Sequence, residues 1–141
     1  TPALSSAASD VYKRQNGNLA AGTSTGGMTN KRYGRIGDVP VIGAGTYAEN
    51  GVCGISATGH GEFFIRNVVA HDIAARIKYA SHSIEKAARD VISELKEKGG
   101  AGGVIGLDSQ GHVVMPFNTP GMFRGYISLD GSPVVAMYDK D

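Results

Sequence analysis

The chain has 141 residues, enough for one domain of ordinary size and too few for two. With 14 Lys and Arg against 13 Asp and Glu, the net charge is +1, which offers no electrostatic footprint for a nucleic acid or a lipid surface. A single cysteine, Cys53, excludes an internal disulfide framework and a multi-cysteine zinc site, and no apolar run approaches the roughly 20 residues that cross a bilayer.

Residues 1–15, TPALSSAASDVYKRQ, are small and polar without a clear period. They read as a flexible tail and lack the apolar stretch of a signal peptide. Asn16-Gly17 is a turn signal, and residues 18–25 read as a strand of small side chains. A glycine-rich, basic loop follows over residues 26–38, then two short strands over 39–45 and 52–58. Ile65, Val69, Ile73 and Ile77 recur every four positions, with Phe64 and Val68 beside them, and predict one amphipathic helix. Ser83 is a good N-cap for a second helix, whose stripe is Ile84, Ala87, Ala88, Val91, Ile92 and Leu95. Gly99-Gly100 ends it. The last third reads as two hairpins, residues 104–115 about Ser109-Gln110-Gly111 and residues 122–138 about Asp130-Gly131. The order of strands, two helices, then strands predicts an α+β fold with a mostly antiparallel sheet and helices on one face. The other face then needs cover from another chain or from a missing portion of this one.

Two clusters carry candidate chemistry. Thr23-Ser24-Thr25-Gly26-Gly27 is followed by Arg35-Ile36-Gly37-Asp38, which sets a guanidinium and a carboxylate three residues apart. Arg suits a carboxylate and Asp suits an ammonium, so the pair fits a zwitterionic amino-acid group. A surface ion pair across a glycine turn is the competing reading. Thr58-Gly59-His60-Gly61-Glu62 stands at a strand-to-helix junction, where backbone N–H groups can hold an oxyanion or a carboxylate. Thr58 acting as a plain N-cap, with Glu62 facing the helix dipole, is the alternative. His60, His71, His82 and His112 are too scattered to predict a metal site, and no cofactor is expected. Cys53 reads as a small buried residue. Gly99-Gly100-Ala101-Gly102-Gly103 reads as a linker.

Residues 16–138 resemble the β subunit of the isoaspartyl peptidase/L-asparaginase family, the plant-type asparaginases among N-terminal-nucleophile hydrolases. The resemblance rests on the run from Gly17 to Lys31, on Gly34-Arg35-Ile36-Gly37-Asp38, on Gly43-Ala44-Gly45, on Thr58-Gly59-His60-Gly61-Glu62 and on Asn118-Thr119-Pro120-Gly121-Met122. It implies a four-layer αββα sandwich. It also implies a self-cleaving precursor whose α subunit is the partner, in an (αβ)₂ assembly. The implied activity is hydrolysis of β-aspartyl dipeptides and of the L-asparagine side-chain amide. Carried over by position, Arg35 grips the substrate α-carboxylate and Asp38 the α-amino group, with Ile36 and Gly37 between them. Thr58 and Gly59 form the oxyanion hole, His60 and Gly61 border the substrate, and Thr25 supports the nucleophile.

One position departs from the family pattern. The family nucleophile is an N-terminal threonine in a Gly-Thr-Val-Gly context, and counting back from Gly17 places it at Ala7. Thr1 lies six residues earlier and precedes Pro2. Residues 1–15 are therefore expected to be foreign to the family domain, which spans 16–141, and this chain is expected to be inactive. A non-catalytic amino-acid-binding homologue and a glycosylasparaginase-type amidase are the alternatives. The sequence leaves localisation open, with the cytoplasm favoured.

Overall fold

The computed structural model describes residues 7–128 and 130–139. Eight strands and three helices follow one another among them: β1 (Ala7–Lys13), β2 (Leu19–Thr25), β3 (Thr46–Glu49), β4 (Cys53–Gly59), α1 (Gly61–Asn67), α2 (Val69–Ala80), α3 (Ile84–Glu97), β5 (Gly102–Asp108), β6 (Val113–Val114), β7 (Arg124–Ile127) and β8 (Pro133–Ala136). All the ladders between these strands are antiparallel, as the hairpin signals predicted.

The central sheet runs β3-β4-β5-β6. Its middle strand β4 is buried on both faces, and alternate residues serve different layers. Cys53, Ile55 and Ala57 join the apolar core with Phe64, Val69, Ile73, Ala87, Val91, Ile92 and Leu95 from the helices. Gly54 and Ser56 face the β1–β2 hairpin, where Val11 lies over Gly54 and Ser56 bonds to the Gly22 carbonyl at 3.1 Å. The described chain thus builds three layers: helices, central sheet and hairpin. Part of the cover expected from elsewhere comes from within the chain. The β7–β8 hairpin still exposes Phe123, Ile127 and Val135.

Four local expectations are corrected. Residues 7–13, read as part of a flexible tail, form β1. Its ladder to β2 and its seat on β4 supply what the residue types alone do not signal. Residues 39–45, read as a strand, form a tight loop with one bridge between Ile42 and Thr46. The strand that follows it, β3, was not predicted. The single helix over residues 64–77 is two helices, broken at Val68. Here Val68 takes φ 48° and ψ 47°, a left-handed conformation that is steeply unfavourable for a β-branched residue. The break lets α2 dock its free N-terminal N–H groups onto the 39–45 loop: Ala70 N–H donates to the Ala44 carbonyl (3.2 Å) and His71 N–H to the Gly43 carbonyl (2.8 Å). Finally, Thr58 is not a helix cap. It lies in β4, and the N-cap of α1 is His60, without a side-chain cap bond.

The second helix matches its expectation. Ser83 Oγ accepts from Lys86 N–H at 3.2 Å, and Gly99 follows the helix end at φ 86°. Arg76 ties α2 to α3 by bonding both Asp72 (3.0 Å) and Glu94 (2.7 Å). The Cys53 thiol is fully buried, and burial pushes it up to about 12, which removes it as a nucleophile near neutral pH.

Replacing Val68 with asparagine, which tolerates the left-handed region, is expected to stabilise the fold by about 1 kcal/mol. Val68 is 45% exposed, so little packing is lost. Thermal unfolding of Val68→Asn against the parent chain checks this, and a lower melting temperature would show that the break carries no strain.

Candidate active site

A cleft opens where the end of β2, the 27–39 loop and the end of β4 meet. Its wall contains Thr25, Gly27, Met28, Arg35, Gly37, Asp38, Val39, Ala57, Thr58 and Gly59. The fold therefore gathers residues from both sequence clusters into one hollow, although they are up to 34 positions apart. Ile36 is not part of this wall and is 72% exposed. His60 is exposed at the start of α1. Gly61 stands behind the cleft wall, against Asp38. Thr1 lies outside the described residues.

Asp38 is the polar centre of the cleft. It is only 6% exposed, and its Oδ2 has no hydrogen-bond partner among the described residues. Burial pushes its carboxyl above the usual carboxylate range. Its own backbone N–H and the Arg35 charge pull the other way and do not cancel the burial. Arg35 is exposed and makes no ion pair within 4 Å among the described residues. The surface ion pair is thus not what forms. Two charged groups of opposite sign border one cleft, and each is left with bonding capacity.

Glycine makes this burial possible. A β-carbon on Gly61 would sit 2.7 Å from Asp38 Oδ1, and one on Gly45 would sit 2.7 Å from Oδ2 and 2.6 Å from the Asp38 carbonyl oxygen. Any side chain at either position would drive the carboxylate out. The loop is pinned from the backbone as well. The Asp38 carbonyl accepts from Val41 N–H (3.0 Å) and Gly45 N–H (3.2 Å), and the Gly45 carbonyl accepts from Ala57 N–H (2.9 Å). Asp38 is thereby tied to β4 one residue before Thr58.

Thr25 Oγ1 accepts from Gly27 N–H at 3.0 Å, which turns the chain sharply out of β2 beside the cleft. Across the β1–β2 ladder, Thr25 pairs with Ala7. Gly59 pairs with Gly102, and His60 N–H donates to the Ala101 carbonyl at 2.8 Å, so the Thr58–Gly59 corner rests on the start of β5. Sequence reasoning missed Met28, Val39 and Ala57 in the wall and Gly45 behind it. Gly45 and Met28 had visible signals, the Gly43-Ala44-Gly45 motif and the run from Gly17 to Lys31; Val39 and Ala57 had none. Among the described residues no group of three or more His, Cys, Asp or Glu could hold a metal ion, and no helix is long and apolar enough to cross a membrane.

The profile of the asparaginase family matches residues 10–137, nearly the whole described chain. The chain belongs to this family. It is 50% identical over 123 residues to the isoaspartyl peptidase of Escherichia coli, covering 86% of this chain and 38% of that protein. It is 49% identical over 129 residues to the isoaspartyl peptidase of Salmonella typhimurium, covering 91% and 41%. The isoaspartyl peptidase/L-asparaginase of Xenopus laevis is 43% identical over 104 residues, 73% of this chain and 33% of that protein. The chain spans about two fifths or less of the curated relatives it matches. The family match begins at residue 10, inside the segment whose residue types look unlike the family strand.

Asp38 gives a stability test. Its folded-state pKa lies above the ordinary 3.8, so the folded chain holds this proton more tightly than the unfolded chain. The favourable contribution is complete below 3.8 and is lost as pH rises through the folded value. Asp38→Asn is therefore expected to raise the melting temperature by a few degrees at neutral pH. The gain should vanish below pH 3.8. A melting temperature that drops at neutral pH would contradict the unpaired carboxylate.

Proposed function

We propose that this chain is the β-subunit portion of an isoaspartyl peptidase/L-asparaginase precursor, and that its cleft holds the aspartyl unit of the substrate. The observation that carries the reading is the buried Asp38 carboxylate, whose Oδ2 has no hydrogen-bond partner among the described residues, on the same cleft as the exposed Arg35 guanidinium. A ligand that offers an ammonium to Asp38 and a carboxylate to Arg35 satisfies both groups at once. L-aspartate, L-asparagine and β-aspartyl dipeptides share that zwitterionic head. The names of the relatives support the same substrate class.

The remaining roles follow from place. Thr58 and Gly59 stand on the cleft wall next to Asp38, where a hydroxyl and a backbone N–H can receive the oxyanion formed when the side-chain carbonyl is attacked. Gly61 keeps the space that the carboxylate fills. Thr25 borders the cleft opposite position 7, the place from which an N-terminal threonine would attack with its own amine as base. Position 7 is alanine, which has no hydroxyl. This favours a second reading for the chain as it stands: binding without turnover. In the first reading the α subunit adds the outer helices of a four-layer αββα sandwich, the mature assembly is (αβ)₂, and residues 1–15 stand in place of the native strand.

Calorimetry on the full chain tests the site. L-aspartate is expected to bind, and succinate, which lacks the ammonium, is expected to bind at least about tenfold more weakly. A bound ammonium favours ionised Asp38, so affinity should fall as pH drops through the raised Asp38 value, with a midpoint above 3.8. Equal affinity for the two diacids would reject the zwitterion site. Release of aspartate from a β-aspartyl dipeptide by this chain would reject alanine at the nucleophile position as disabling. Reading the source gene across codons 1–18 and upstream separates the two readings. A Gly-Thr-Val-Gly junction behind an α-subunit region supports a self-processing parent; TPALSSAASDVYKRQ behind a start codon supports a binding module.

A further inference from the structure

The cleft joins two strands from different layers, and what holds them together is polar. Thr23 in β2 and Ser56 in β4 are hydrogen-bonded through their hydroxyls. Thr23 Oγ1 also donates to the Gly45 carbonyl at 3.1 Å, and Ser56 Oγ to the Gly22 carbonyl at 3.1 Å. Ser56 is 1% exposed, so water has little access to its hydroxyl. Two hydroxyl protons can fill only two of the three contacts at a time: when one hydroxyl donates to the other, it releases its own carbonyl, so the group is a shared network and not a set of independent bonds.

Position gives the network its meaning. Thr23 lies two residues before Thr25, and Ser56 two residues before Thr58. Residues two apart in a strand share a face, so the hydroxyl pair and the two cleft threonines lie on matching sides of their strands. The third member, the Gly45 carbonyl, belongs to the glycine against which Asp38 is packed. Thr23 and Ser56 thus each lie two residues from a threonine of the cleft wall, and Gly45 packs directly against Asp38.

We propose that Thr23 and Ser56 are positioning residues for the aspartyl site: their paired hydroxyls, with the Gly45 carbonyl, fix the strand bearing Thr25, the strand bearing Thr58 and the loop bearing Asp38 in one mutual geometry. The proposal rests on the site reading above. Neither side chain needs to touch the ligand. An apolar pair would still bury area between the layers but would leave the strands free to slide. A shift of about 1 Å at a site built from three separate segments is enough to cost tenfold or more in binding.

The test is L-aspartate affinity of the full chain, measured by calorimetry well below each variant's melting temperature. Ser56→Ala and Thr23→Val are each expected to weaken binding about tenfold, and the double variant no further, since the two act as a unit. Thr23→Ser, which keeps the hydroxyl, is expected to bind within about twofold of the parent chain. Leu95→Val, in the helix layer and 1% exposed, provides a matched loss of stability; its affinity is expected to stay at the parent value. Parent-like affinity in Ser56→Ala and Thr23→Val would overturn the positioning role and leave the site reading intact. Weakening by Leu95→Val to the same degree, or failure of Thr23→Ser to restore binding, would also overturn it. Absence of L-aspartate binding by the parent chain would overturn the site reading and this inference with it.

Discussion

A carboxylate held almost out of water with one oxygen unpaired is costly, and the local structure around Asp38 is organised about keeping it there. Two glycines supply the space, and the carbonyl of the same residue ties the loop down through Val41 and Gly45. The loop in turn receives the first N–H groups of α2, and α2 can reach it because the helix breaks at Val68. The strained Val68 and the unpaired Asp38 oxygen thus belong to one arrangement, joined through the 39–45 loop. Helix packing sets the loop, the loop sets the carboxylate, and the carboxylate sets the chemistry available in the cleft.

The strand β4 divides the labour. Its apolar side chains enter the core beneath the helices, where sixteen buried residues form one cluster. Its opposite face is glycine, serine and threonine, which cannot add much hydrophobic stabilisation but can approach a second sheet closely and bond to it. A cleft between stacked sheets needs such a face. Bulky residues there would fill the site, and unbonded polar ones would destabilise the fold. Hydroxyl-to-carbonyl bonds satisfy both demands at once.

What the sequence made legible follows the range of the forces involved. Helix α3 was readable because its stripe, its serine cap and its terminal glycine are all local signals, and each kept its role. The hairpin turns were readable for the same reason. Arg35 and Asp38 stood out by chemistry, and the fold brings them to a common cleft with Thr25, Thr58 and Gly59. The strand β1 was not readable, because its stability comes from a ladder and from contact with a distant glycine. The break at Val68 ran against the hydrophobic period, which continues through it. The docking of α2 onto the 39–45 loop outweighs both the period and the local preference of valine. The same loop looked like a strand because Val39, Val41 and Ile42 are strand formers; the bonds of Asp38 and Val41 to Gly45 curl it instead.

Binding and bond cleavage draw on different parts of this architecture. The groups suited to an amino-acid head sit on the 35–38 loop and at the end of β4, held by the helix layer and the central sheet. Position 7, proposed as the nucleophile's place, sits on β1 and pairs with Thr25 of β2. Among the described residues no backbone hydrogen bond joins β1 to the 35–45 loop, so a change at position 7 that preserves the ladder does not break the bonds that hold Asp38. The unpaired oxygen still disfavours the empty folded state, and on the proposed reading a bound ammonium relieves it. On that reading, alanine at position 7 removes the nucleophile without removing the reason for the pocket, so binding of the zwitterionic head can outlast catalysis.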